Sequence, residues 1–243
     1  MRIKIVIIKL ILSLILLSGN AIAKNLPPGS GISDVPANVL ILLDKSGSMG
    51  ARMTSGAGIY YPYSVAVDTN GDVYAGQYYT YGIKKFTYGS KAVDTSFAQN
   101  GTYRGSGNCR SYYPFDMVIH NGYLYVASYY QHRVFRINLS TGKCDWNSNR
   151  VRYARNVTVS SNNILYAFGA YGERVVRNVS TNTDISCSTP NYARYTSGTT
   201  VDASSSNFYV HYYRYLYRYT INSNGCINTN YASRIYRSQW RYG

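Results

Sequence analysis

The chain has 243 residues, 29 of them Tyr, and its 25 Lys and Arg against 10 Asp and Glu leave a formal charge of +15. So few carboxylates, with Glu173 the single Glu, direct the chain toward anionic surfaces such as lipid headgroups, acidic polysaccharide or extracellular nucleic acid. The four cysteines, Cys109, Cys144, Cys187 and Cys226, form no C-x-x-C pair, which excludes a zinc finger or ribbon.

Residues 1–23 read as an export signal. Arg2, Lys4 and Lys9 flank and interrupt an apolar run that ends in Ala21-Ile22-Ala23, a small-x-small cleavage pattern. Lys9 inside the run argues against a full membrane span, and no later segment is apolar enough to cross a bilayer. Cleavage leaves about +12 on a strongly basic exported protein. Its compartment permits disulfides, and the cysteines recur roughly once per repeat; equivalent positions on successive repeats risk exceeding the roughly 7 Å Cα reach of a disulfide, so the pairing stays open.

After a linker at 24–36 comes Val39-Leu40-Ile41-Leu42-Leu43, a strand-like run, which leads into Asp44-Lys45-Ser46-Gly47-Ser48. An apolar run of this length reads as a strand buried on both faces of an α/β sheet. The Asp-x-Ser-x-Ser loop behind it resembles the metal-ion-dependent adhesion site of von Willebrand factor type A domains. That resemblance implies Mg²⁺ held by Asp44, Ser46 and Ser48, directly or through water, because the ion prefers hard oxygen ligands. It covers only 37–58, one strand and one loop of an α/β domain. The Thr and Asp which that family supplies from later loops match no residue here; either the propeller is inserted after the first loop and the rest of such a domain follows beyond Gly243 in a longer parent protein, or the loop is a vestige.

From residue 59 the chain repeats itself. Pro62-Tyr63-Ser64-Val65-Ala66-Val67-Asp68 opens a unit that is echoed from Pro114, from Asn156 and from Thr200. Tyr74, Tyr125, Tyr166 and Tyr209 anchor the echoes at intervals of 51, 41 and 43 residues, a period of propeller blades or arrays. Each unit alternates apolar and polar residues, as in Arg133-Val134-Phe135-Arg136-Ile137, between Gly, Asn, Ser and Asp clusters. The opening phrase resembles that of NHL and related β-propellers. The expected fold is therefore all-β over 59–243: a β-propeller of about four recognisable four-stranded blades, alone or as part of a larger propeller, preceded by the signal peptide and the type A fragment.

No catalytic constellation is legible. His120, His132 and His211 fall at unrelated positions of different units, with no neighbouring acid or nucleophile. The run Tyr209-Val210-His211-Tyr212-Tyr213-Arg214-Tyr215-Leu216-Tyr217-Arg218-Tyr219 interleaves rings and cations. An unbroken strand sends Tyr213, Tyr215, Tyr217 and Tyr219 to one face, most of them as core between blades. Tyr213, Arg214 and Arg218 are the candidate ligand contacts, with Tyr112-Tyr113, Tyr129-Tyr130 and Tyr78-Tyr79 adding rings at other strand ends.

These observations predict an exported, cell-surface or secreted binding protein: a β-propeller platform coupled to a Mg²⁺-dependent adhesion motif, in an order that loosely resembles pilus-tip adhesins. The expected partner is a surface protein or an anionic polysaccharide, and nucleic acid is the weaker expectation for an exported chain. The alternative is an exported propeller lyase or hydrolase acting on an anionic polysaccharide, with His132 or His211 in acid–base roles.

Overall fold

A computed structural model describes residues 59, 61–78, 81–90, 92–190, 192–230 and 232–237. The signal peptide, the linker and the type A-like segment with Asp44, Ser46 and Ser48 lie outside the described residues. What is described is all-β and propeller-like: four antiparallel meanders of four strands each. The first is β1 (Pro62–Val67), β2 (Val73–Gln77), β3 (Ile83–Phe86) and β4 (Thr102–Tyr103); the second β5 (Pro114–His120), β6 (Tyr123–Ser128), β7 (Arg133–Asn138) and β8 (Lys143–Asn147). The third is β9 (Ala154–Val159), β10 (Ile164–Gly169), β11 (Arg174–Asn178) and β12 (Thr183–Asp184); the fourth β13 (Gly198–Val201), β14 (Asn207–Tyr212), β15 (Tyr215–Thr220) and β16 (Ser233–Arg237).

Turn chemistry sets the strand ends. Asn121 and Gly122, both at positive φ (49° and 76°), join β5 to β6 as a two-residue hairpin whose twist matches that of the strands. In the β7–β8 and β11–β12 hairpins, Asn138 and Asn178 fold back the same way: each Oδ1 accepts the backbone N–H groups two and three residues on. The run 209–219 is not one strand. It reverses at Tyr213-Arg214, Tyr213 taking φ 52°, so Tyr213 leaves the face that Tyr217 and Tyr219 share in the core.

Three apolar cores lie between successive sheets. Tyr74 and Ile83 meet Leu124, Val126 and Phe135 between the first and second; Tyr125, Ala127 and Val134 meet Leu165 and Ala167 between the second and third; Tyr166 and Phe168 meet Phe208, Val210 and Tyr219 between the third and fourth. Strand alternation produces this sandwiching, since each β6-type strand sends successive side chains to opposite neighbours. The first strands pack side by side, β1 on β5, β5 on β9 and β9 on β13.

A polar clasp repeats at the third residue of each of these strands. Ser64 Oγ donates to Pro114 O at 2.6 Å, Asp116 Oδ2 accepts from Val157 N at 2.9 Å, and Asn156 Nδ2 donates to the Thr196 carbonyl at 3.4 Å. In the fourth sheet the equivalent ladder position, opposite His211, is Gly198, the first residue of β13. The cysteines also bridge neighbouring sheets, Cys109 to Cys144 and Cys187 to Cys226, with Cα separations of 6.2 and 5.4 Å. The distance objection fails because paired cysteines occupy non-equivalent positions: Cys109 lies in the linker after β4 and Cys144 in β8, while Cys187 follows β12 and Cys226 precedes β16.

Candidate functional site: a tyrosine and arginine end

In a four-stranded meander the linkers between sheets and the hairpins joining second to third strands fall at one end. The other hairpins fall at the opposite end. The linker end holds a tyrosine just before the first strand of every sheet: Tyr61, Tyr113, Tyr153 and Tyr195, with φ of 50°, 63°, 50° and 51°. Left-handed backbone is costly for a bulky side chain, and it persists where surrounding structure fixes it. Here the second-to-third hairpin does so. Tyr78 N donates to Tyr61 O, Tyr129 N to Tyr113 O and Ala170 N to Tyr153 O, at 3.2, 2.9 and 3.1 Å.

The result is a continuous ribbon of rings. Tyr81 stacks on Tyr112 at 4.2 Å between centroids, and Tyr112 reaches Tyr130 at 6.3 Å. Tyr113 meets Tyr130 and Tyr129 at 5.6 and 5.4 Å, and Tyr129 meets Tyr153 at 4.9 Å. Tyr171 then lies 5.7 Å from both Tyr153 and Tyr195. Within it Tyr130, Tyr171 and Tyr195 are between 43% and 47% exposed, so the ribbon offers rings to solvent rather than only filling a core. Burial raises the pKa values of Tyr113 and Tyr129, joined at Tyr113 by a hydrogen bond with Tyr63, and hydrogen bonding to Tyr130 raises that of Tyr78. The surface therefore stays neutral at its rings.

Arginines line the ribbon. Arg110 lies over Tyr112 at 4.7 Å, Arg155 over Phe115 at 4.9 Å and Arg152 over Tyr171 at 4.8 Å, cation–π contacts that hold each guanidinium beside a ring. Arg104, Arg133, Arg150, Arg174, Arg194 and Arg214 stand at the same end by topology. Against them are Glu173, which pairs with Arg152, and Asp116, which binds backbone N–H groups. Asp68, Asp72, Asp94, Asp184 and Asp202 are all in or beside hairpins of the opposite end. Arg155 Nε is shielded from water with no hydrogen-bond partner among the described residues.

Of the residues singled out from the sequence, Tyr213 and Arg214 form a hairpin tip at this end, and Arg218 does not join them. It lies within β15, opposite Tyr209, on the outward face of the fourth sheet. The histidines do not converge. His120 bonds Asn163 at the opposite end, His211 is exposed on β14, and His132 Nδ1 accepts the Tyr153 N–H at 2.9 Å. Burial and the nearby Arg150 and Arg152 lower the His132 pKa, so it stands neutral with that nitrogen occupied. Among the described residues no group of His, Cys, Asp and Glu is arranged to hold a metal ion. The residues missed from sequence, Arg110, Tyr153, Arg155, Tyr171 and Tyr195, carried one signal: a Tyr placed before each repeat.

No family profile and no curated protein matches the sequence. Among solved structures the chain is similar to Kuenenia stuttgartiensis hydrazine synthase, with a TM-score of 0.56 and 9% identity over 72% of this chain and 49% of that one. The chain thus spans about half the length of that protein, and the likeness concerns the fold alone.

Proposed function

We propose that this chain is an exported binding protein that grips an anionic polysaccharide along the linker end of its sheets. The observation that carries the reading is the exposed tyrosine ribbon edged by arginines. Sugar rings stack through their apolar C–H faces on neutral phenols, while carboxylate or sulfate substituents meet guanidinium groups, which suit planar, two-point recognition. Exposed charge pairs of this kind are screened by salt over about 8–10 Å at physiological ionic strength, so attachment weakens as salt rises.

The test is binding of the exported chain to a uronic-acid or sulfated polysaccharide and to a neutral one of equal length. The acidic polymer is expected to bind and the neutral one to bind far less. Arg155→Gln and Tyr171→Ala should each weaken binding roughly tenfold, about 1.4 kcal/mol. Equal retention of both polymers, or unchanged affinity in both variants, sinks the reading. The Asp44, Ser46 and Ser48 loop supplies a second, Mg²⁺-dependent contact to a surface protein in this proposal, by the oxygen-donor chemistry of its side chains.

A further inference from the structure

Away from the arginines, the third and fourth sheets part at the opposite end around a cleft of about 490 Å³. Pockets that take small organic ligands run from roughly 300 to 1,000 Å³. The β9–β10 and β11–β12 hairpins build one wall, and the β13–β14 and β15–β16 connections build the other. The floor is apolar, with Ile164 and Tyr166 buried and Ile185 and Ile221 half-buried beside them. The rim is exposed and polar, with Asn162, Asn222, Ser223 and Asn224. No charged side chain among the described residues lines the cleft.

Hydrogen-bonding capacity at the rim is largely unspent. Asn178 and Asn224 accept backbone N–H groups of their own turns through Oδ1, so each keeps its Nδ2–H₂ donors without a partner among the described residues. The Asn222 side chain bonds to none of them either. The walls, by contrast, are fixed to one another. Ser161 Oγ shares a hydrogen bond with Ser205 Oγ at 2.6 Å and donates to the Ala203 carbonyl at 3.1 Å, while Tyr166 OH donates to Gly225 O at 2.7 Å. The Cys187–Cys226 bond staples the residue after Gly225 to the stretch that follows Ile185. A cleft held in this way loses little conformational freedom when it is filled.

We infer that this cleft is a second binding site and that it takes a neutral mono- or disaccharide. Sugar hydroxyls both donate and accept, which amide and hydroxyl side chains match, and the isoleucines receive the apolar C–H face of the ring. A uronate placed here buries its carboxylate with no cation to compensate, so the cleft rejects it. The site thus selects the opposite kind of sugar from the tyrosine ribbon and does not rest on that reading. A polymer offers the cleft only its chain ends, so a neutral polysaccharide still binds the chain far less than an acidic one.

NMR of the isotope-labelled exported chain, titrated with glucose, galactose, N-acetylglucosamine, maltose and glucuronate, tests this. At least one neutral sugar is expected to shift the side-chain amide signals of Asn178, Asn222 and Asn224 saturably at millimolar concentration, equally at low and high salt. Glucuronate should leave those signals in place. Asn222→Ala breaks no internal bond and should weaken the neutral sugar by about two- to tenfold, the loss of one hydrogen bond. Ser223→Trp, which fills the mouth of the cleft, should abolish binding. Backbone spectra that match the parent chain elsewhere confirm that both variants fold. Amide signals unmoved by every neutral sugar overturn the inference, as does a glucuronate shift of equal size or undiminished binding in both variants. The polysaccharide reading stands or falls separately, on Arg155→Gln and Tyr171→Ala at the other end.

Discussion

Asp116 shows how one side chain ties stability to pH. It is partly accessible, yet protein crowds its carboxyl, and this desolvation outweighs the N–H groups of Val157 and Met117 and pushes the pKa up to about 6 from an ordinary 3.8. The folded state thus holds the proton more tightly than the unfolded one. The associated stability is complete below about pH 3.8 and is lost as pH rises through about 6. Asp116→Asn keeps an oxygen for Val157 and removes the charge, so it is expected to stabilise by about 1–3 kcal/mol at pH 7 and by little at pH 3. Urea melts of both proteins across that range check the sign. Tyr195 raises the opposite case, strain kept at a binding surface. Tyr195→Asn relieves a left-handed backbone that Asn tolerates, and should gain about 1 kcal/mol while weakening polysaccharide binding. Thermal melts and a binding isotherm measured together separate the two effects. Residue roles of this sort were only partly legible: the Tyr before each repeat is visible in the sequence, whereas the partners of Arg155 depend on the sheets that surround it.

At the level of elements, reading the sequence worked where turn chemistry is local. The Asn121-Gly122 hairpin and the Asn138 and Asn178 turns need only their own few residues, so the repeat boundaries and four-stranded units could be read directly. Tyr213-Arg214 escaped because no Gly or Asn marks that reversal; a tyrosine takes the left-handed turn instead, held by pairing of β14 with β15. Disulfide connectivity escaped as well, since it depends on how far each linker reaches across the next sheet. Each bond closes a stretch of 35 or 39 residues, and chain-entropy arguments assign about 4 kcal/mol to a loop of that size. Replacing Cys187 and Cys226 by Ser is accordingly expected to lower unfolding free energy by about 2–4 kcal/mol. Denaturation with and without reductant measures this, and reduced parent protein should match the variant if the other bond is replaced in both.

For the whole molecule, what matters is polarity. Asp68, Asp72, Asp94, Asp184 and Asp202 gather at one end and most of the arginines at the other, an arrangement that no one-dimensional charge count displays, because the sequence interleaves them and the meander sorts them. The basic composition alone pointed to anionic partners, and the proposal takes its binding surface from the sorted ends. If the adhesion motif contributes, EDTA and Asp44→Ala should lower attachment to a cell surface several-fold and leave polysaccharide binding unchanged; attachment assays with and without Mg²⁺ tell these apart.

The two cross-links divide the sheets into pairs, first with second and third with fourth. The middle joint has no covalent bond across it besides the chain itself, and the polar contact across its first strands is the Asp116 clasp. On the proposed reading, the protein is pulled by whatever moves the polymer that it grips. Under load, stapled pairs move as rigid blocks, so extension concentrates at the unstapled seam. Acidity tightens that seam, by the same protonation of Asp116, which makes yield to force a property that the surrounding medium sets.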